Sequence, residues 1–178
     1  MSPDPVFERS AVLGAGVMGH GIAFAYALGG HEVTLFDVDP DALAEAQGLI
    51  DRTAETFVDT GYLERAAVAE ARDRLGYTDD FAAAVDGVDL VTEAVPEEMS
   101  LKRETFDRLD EHAPDDAILA TNTSGLSITA LADRVTEPER VAGTHWFNPP
   151  HIVPLVEVIR GDETADATVD LLSGELER

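Results

Sequence analysis

The run Gly14-Ala15-Gly16-Val17-Met18-Gly19 constrains this chain more than any other feature. It follows the short apolar stretch Ser10–Gly14 (SAVLG), which reads as a strand. It opens the small-residue stretch Val17–Leu28, which reads as a helix closed by Gly29–Gly30. Glycines in the pattern G-x-G-x-x-G between a strand and a helix form the turn of a dinucleotide-binding unit. Gly14 permits the tight turn, Gly16 lets the backbone approach a pyrophosphate, and Gly19 lets the helix pack on the strand. Val17 and Met18 lie at the helix N-terminus, which presents free N–H groups and about half a positive charge to the phosphates. Glu32–Asp37 (EVTLFD) is a second strand, and Asp37 ends it. A carboxylate there accepts from both ribose hydroxyls of an adenosine and repels a 2′-phosphate. The expected cofactor is therefore NAD rather than NADP.

The rest of the chain keeps alternating. Asp39 can cap a helix that starts at Pro40 and carries Leu43, Ala46, Ile50, Ala54 and Phe57 at helical spacing. Gly61 interrupts it, and Leu63–Leu75 resumes the helical period. Phe81–Val85 reads as a short helix and Val88–Glu93 (VDLVTE) as a buried strand. Ser100 can cap a helix running to about His112. Ala117–Thr121 is a strand, Ile128–Arg134 a short helix, Arg140–His145 and Leu155–Ile159 two more strands, and Thr164–Glu177 a closing helix. Apolar strands alternating with helices predict an α/β fold: a Rossmann-type, doubly wound, mostly parallel sheet with helices on both faces. One domain is expected over residues 1–178, with its core at about 6–177. A chain of this size buries roughly 70% of its unfolded surface in one core, so it needs no staple. It has no cysteine to make one.

Charge narrows the partners. Asp plus Glu is 36 against 12 for Lys plus Arg, a formal net charge of −24. Nucleic acid and anionic membranes both require a basic surface and are excluded as expected partners. The acids are dispersed, as in Asp39, Asp41, Glu45, Asp51, Glu55 and Asp59, and the only Lys is Lys102. This composition resembles that of proteins from salt-loving organisms, where a Debye length of about 3 Å at 1 M salt screens the self-repulsion. The alternative is an acidic protein of an ordinary cell. The start MSPDPVFERS has no basic or apolar leader, and no apolar run approaches the ~18 residues that span a membrane. The expected compartment is the cytoplasm.

Ligands of open parallel sheets bind beyond the carboxyl ends of the strands. Three segments fall there with the glycine turn: Glu93–Glu98, Asn122-Thr123-Ser124 and His145-Trp146-Phe147-Asn148-Pro149. Any one alone is unremarkable, since Asn-Thr-Ser also caps helices. His145 and Glu157 are joined by a turn-rich connection holding Pro149, Pro150 and Pro154, so their strands can lie side by side. Glu157 sits in the apolar stretch LVEVI, where a buried carboxylate is costly unless paired. If it meets His145, it fixes the imidazole tautomer and raises its basicity, leaving the other ring nitrogen to take a proton. If instead it faces solvent on an edge strand, the two never meet.

The runs GAGVMGHGIA, EAVPEEMSLK, NTSGLSI and HWFNPPHIVPLVEVI, in this order, resemble the 3-hydroxyacyl-CoA dehydrogenase family over about Val6 to Glu177. The resemblance implies NAD-dependent hydride exchange with a (3S)-3-hydroxyacyl-CoA, in fatty acid β-oxidation or hydroxybutyryl-CoA metabolism. It implies that His145 and Glu157 are the catalytic pair. It implies that Ser124 and Asn148 contact substrate or the nicotinamide end, and that Glu97 and Lys102 surround the nicotinamide ribose. Trp146 stands where the family usually has Phe, and Pro150 adds stiffness. Family members continue into a helical domain that closes the crevice, adds an active-site Asn and forms most of a dimer interface. The resemblance thus implies a homo-oligomer or a separate helical-domain partner. These 178 residues are expected to be a fragment, a truncated reading frame or a stand-alone cofactor domain. Rival readings are a related dehydrogenase of a free sugar acid, and a catalytically silent NAD-binding or subunit-interaction module.

Overall fold

The computed structural model describes residues 6–177. Its elements are β1 (Arg9–Leu13), α1 (Gly19–Gly29), β2 (Glu32–Phe36), α2 (Pro40–Asp59), α3 (Arg65–Asp73), β3 (Leu75–Thr78), α4 (Phe81–Val85), β4 (Leu90–Glu93), α5 (Met99–His112), β5 (Ile118–Thr121), α6 (Ile128–Ala132), β6 (Val141–Trp146), β7 (Val156–Arg160) and α7 (Asp166–Leu176). The strands form one sheet in the order β3-β2-β1-β4-β5-β6-β7. All neighbours are parallel except the antiparallel pair β6–β7. Strand order reverses between β1 and β4, and a crevice opens beyond their carboxyl ends.

Helices cover both faces, as the apolar strands required. On one face Ile22 and Phe24 of α1, Ile50 and Ala54 of α2 and Leu172 of α7 pack together. On the other, Phe81, Val85, Phe106, Leu109 and Leu131 do so. The residues α2 buries are Leu43, Ala46, Ile50, Ala54 and Phe57, one stripe at helical spacing. The Asp39 carboxylate caps this helix by accepting from Asp41 N at 3.0 Å, with Pro40 in the first turn.

Several boundaries shift by a residue or two from the sequence expectation, and four departures have a physical reason. Helix α1 begins at Gly19 rather than Val17, because Val17 and Met18 form the turn that exposes the loop's N–H groups. The segment expected to be helical through Leu75 ends at Asp73, and Leu75–Thr78 pairs with Val33–Phe36 as an edge strand. Main-chain pairing with β2 creates this strand; its own pattern, LGYT, carries no buried residue. Ser100 does not cap α5. Glu98 holds the cap position without a side-chain hydrogen bond, and Ser100 lies inside the first turn. Helix α7 starts at Asp166 because the Thr164 hydroxyl donates to the Val141 carbonyl at 2.6 Å, tying that residue to β6.

Among the described residues no helix is long and apolar enough to cross a membrane. The reading of the first ten residues as lacking a leader rests partly on residues 1–5, which lie outside the described residues, as does Arg178.

Candidate active site

The glycine turn is held by sterics that only glycine satisfies. Gly14 has φ +103°, and a Cβ there would sit 2.7 Å from the Ala94 carbonyl oxygen. A Cβ on Gly19 would overlap the Gly14 carbonyl oxygen. Around Gly16, by contrast, nothing lies within 4 Å of where a Cβ would be, so this face is open to a phosphate. Asp37 is fixed beside the turn: one carboxylate oxygen accepts from Ala15 N at 2.8 Å and the other from Asp39 N at 3.0 Å. Each oxygen keeps a lone pair for a ribose hydroxyl. Asp37 thus also braces the turn, which its sequence position did not reveal.

A cleft of about 380 Å³ gathers Gly14, Gly16, Val17, Met18, Asp37, Glu97, Asn122 and Ser124 from four loops and Lys102 from the first turn of α5. An apolar slot of about 120 Å³ adjoins it, shares Gly14, Asp37, Val95 and Pro96, and has Arg108 at its wall. The Arg108 guanidinium carbon lies 3.8 Å from the centroid of the Phe81 ring. Nothing in the sequence singled out Arg108. Gly19 lies behind the turn, and Asn148 is exposed beyond β6 and does not line the cleft.

Beneath the cleft lies a buried ion pair. The Lys102 ammonium donates to the two Glu93 carboxylate oxygens at 2.7 and 3.0 Å and to the Val95 carbonyl at 3.2 Å. Their side chains are 1% and 0% exposed. The same carboxylate accepts from Val95 N at 2.7 Å and from the Thr121 hydroxyl at 2.6 Å. Lys102, expected beside the nicotinamide ribose, does line the cleft, but its three protons are engaged inside the protein. Glu93 was the missed residue. A carboxylate in the buried strand VDLVTE demanded a cation, and the sequence holds a single Lys nine positions on.

Glu97 stands 3.5 Å from the Lys102 ammonium through one oxygen. Its other oxygen accepts from the Thr123 hydroxyl at 2.6 Å, Ser124 N at 2.9 Å and Gly125 N at 3.2 Å. Partial burial works against its charge, but the Thr123 hydroxyl, the Ser124 N–H, the Lys102 ammonium and the Gly125 N–H outweigh it. The carboxyl is held below its ordinary value.

The antiparallel register places His145 directly opposite Glu157. The His145 Nδ1 lies 2.8 Å from the Glu157 carboxylate, and Nε2 lies 3.1 Å from the Ser124 hydroxyl. A carboxylate only accepts, so Nδ1 carries the proton and Nε2 turns its lone pair toward Ser124. Glu157 is 55% exposed, so it is the strand register, and not the cost of a buried charge, that brings the two together. It lies on an edge strand and meets His145 all the same. Asn122 joins the neighbouring strand ends by accepting from Trp146 N at 2.9 Å. A base with an oriented proton, a hydroxyl beside it and a dinucleotide cleft alongside can take a proton from a substrate alcohol as hydride leaves the same carbon.

The chain matches the family model described as "3-hydroxyacyl-CoA dehydrogenase, NAD binding domain" over residues 9–177. It is 42% identical over 166 residues to 5-formyl-3-hydroxy-2-methylpyridine 4-carboxylate 5-dehydrogenase of Mesorhizobium japonicum, covering 92% of this chain and 52% of that protein. It is 39% identical over 162 residues to 3-hydroxybutyryl-CoA dehydrogenase of Clostridioides difficile, covering 91% of this chain and 57% of that one. The crystal structure of 3-hydroxybutyryl-CoA dehydrogenase from Escherichia coli K12 superposes with a TM-score of 0.92 at 38% identity, over 97% of this chain and 37% of that one. The chain therefore spans about half the length of these curated relatives. The cofactor of the matched domain is NAD, and the open face at Gly16 beside the fixed Asp37 carboxylate fits it.

Proposed function

The chain belongs to the 3-hydroxyacyl-CoA dehydrogenase family through its NAD-binding domain, and from that we propose that it takes part in reversible oxidation of a (3S)-3-hydroxyacyl-CoA to the 3-ketoacyl-CoA. The Ser124–His145–Glu157 series at the mouth of the cleft carries this reading, with contacts of 3.1 and 2.8 Å. NAD, when bound, supplies the hydride acceptor. Gly14, Gly16, Val17 and Met18 cradle its phosphates, Gly19 behind them lets the helix pack close to the turn, Asp37 takes the adenosine ribose, and the slot at Arg108 takes the adenine. Glu97 and Lys102 flank the nicotinamide ribose, Lys102 by its field rather than by a free proton. His145 takes the substrate hydroxyl proton at Nε2. Glu157 stabilises the imidazolium that forms, and Ser124 and Asn148 hold the reacting oxygen and its surroundings.

The 42%-identical relative named for a pyridine substrate favours a second reading, in which the same three residues act on a small ring-bearing substrate free of coenzyme A. Turnover of acetoacetyl-CoA with NADH, with NADH binding titrated in parallel, tests the proposal. Substrate positioning supplied by the remaining length of the relatives can be worth roughly 7–11 kcal/mol. The 178 residues assayed by themselves are therefore expected to bind NADH and to turn over slowly, with His145→Gln abolishing the residual rate. A rate that His145→Gln leaves unchanged refutes the catalytic assignment. NADH binding without any turnover, even with the remaining domain supplied, favours a silent cofactor-binding module.

A further inference from the structure

We propose that Glu97 is a positioning residue for the Ser124–His145 contact, acting through the turn that follows β5. Its catalytic consequence rests on the function proposed above; its geometry does not. Three donors from consecutive residues, the Thr123 hydroxyl and the Ser124 and Gly125 N–H groups, converge on one Glu97 oxygen. The Thr123 hydroxyl in turn accepts from Gly125 N at 3.4 Å and Leu126 N at 3.0 Å. The turn is therefore folded around the Glu97 carboxylate, which accepts from all three. No regular element holds this stretch, which lies between the last residue of β5, Thr121, and the start of α6 at Ile128.

The carboxylate is itself anchored. Val95 N is held by Glu93 at 2.7 Å, Pro96 fixes the chain direction, and Glu98 N closes the turn on the Pro96 carbonyl at 2.7 Å. A rigid β4–α5 loop thus reaches across to the β5–α6 loop and sets where the Ser124 hydroxyl stands. His145 approaches the same hydroxyl from β6. Its other nitrogen is tied to Glu157 and does not depend on Glu97. Glu97 also lines the cofactor cleft, so one side chain touches the space the dinucleotide enters and the turn that meets the base. A misplacement on the order of 1 Å at a reacting group can cost about 100-fold in rate.

The test reads the His145 ring by nitrogen-15 NMR on the full chain without substrate, in wild type, Glu97→Ala, Ser124→Ala and the double variant. Removing Ser124 takes the partner from Nε2 and shifts its signal. Glu97→Ala is expected to shift it the same way by at least half as much, to leave Nδ1 nearly unmoved, and to add nothing in the Ser124→Ala background. Glu97→Gln, which keeps one neutral acceptor, is expected to give a partial shift. If Glu97→Ala does not fold, Thr123→Val removes the shortest donor from the opposite side and must reproduce the shift. An unmoved His145 signal, or a Glu97 effect that adds in full to that of Ser124→Ala, overturns the proposal. The expected NMR pattern together with a turnover rate insensitive to His145→Gln leaves the positioning role standing and removes only the catalytic reading.

Discussion

Replacing Lys102 by Met should destabilise this domain more than almost any other single change. The ammonium makes three hydrogen bonds at 2.7, 3.0 and 3.2 Å, with its side chain 1% exposed against a partner that is 0% exposed. Met has similar length and apolar bulk, so little packing is lost. What remains is a buried Glu93 carboxylate held only by Val95 N and the Thr121 hydroxyl. Breaking one side of a buried pair costs about 3–5 kcal/mol. For a domain of this size about 2–4 °C of melting temperature is lost per kcal/mol, so the expected fall is roughly 6–20 °C. The double variant Glu93→Gln/Lys102→Met removes both charges. It should be more stable than Lys102→Met alone, because no ion is left unpaired. Urea unfolding of the two variants and wild type, with the slope checked for two-state behaviour, measures both quantities. A Lys102→Met loss below about 1 kcal/mol, or a double variant less stable than the single one, would refute the reasoning.

Two further outcomes follow from charge. Calorimetric titration should show NAD bound more tightly than NADP. A 2′-phosphate about 4 Å from the Asp37 carboxylate costs on the order of 4 kcal/mol near a surface before salt screening; equal affinities would remove Asp37 as the discriminating group. If the net charge of −24 is an adaptation to salt, the melting temperature should rise between low and molar KCl as carboxylate repulsion is screened. A flat or falling midpoint would assign the acidity to an ordinary environment.

The parallel core, the glycine turn and the stripe of α2 were legible because each is written locally. A strand-glycine-helix run, a period of 3.6 and a capping Asp39 depend on near neighbours in the chain. Asp37 was legible for the same reason, as the last residue of a strand that must end at the crevice. Edge strand β3 was not legible: Leu75–Thr78 has no buried face, and it is a strand only because β2 offers unpaired main-chain groups beside it. Ser100 misled because a hydroxyl before an apolar run looks like a cap, while the chain had already turned helical at Met99.

By itself, then, the sequence determined the fold class, the cofactor turn and the set of residue types available at the strand ends. Only the tertiary structure decided which of them meet. The register of β6 against β7 sets Glu157 opposite His145 although Glu157 stays half in solvent. Burial sets the Lys102 ammonium on Glu93 beneath the cleft, a partner that its position in the chain did not reveal. The placement of the β4–α5 loop hands three donors of the Ser124 turn to Glu97. Each is a contact between residues from 9 to 28 positions apart. Hydrogen bonds act over about 3 Å, so such pairings exist only once the sheet has brought the loops together.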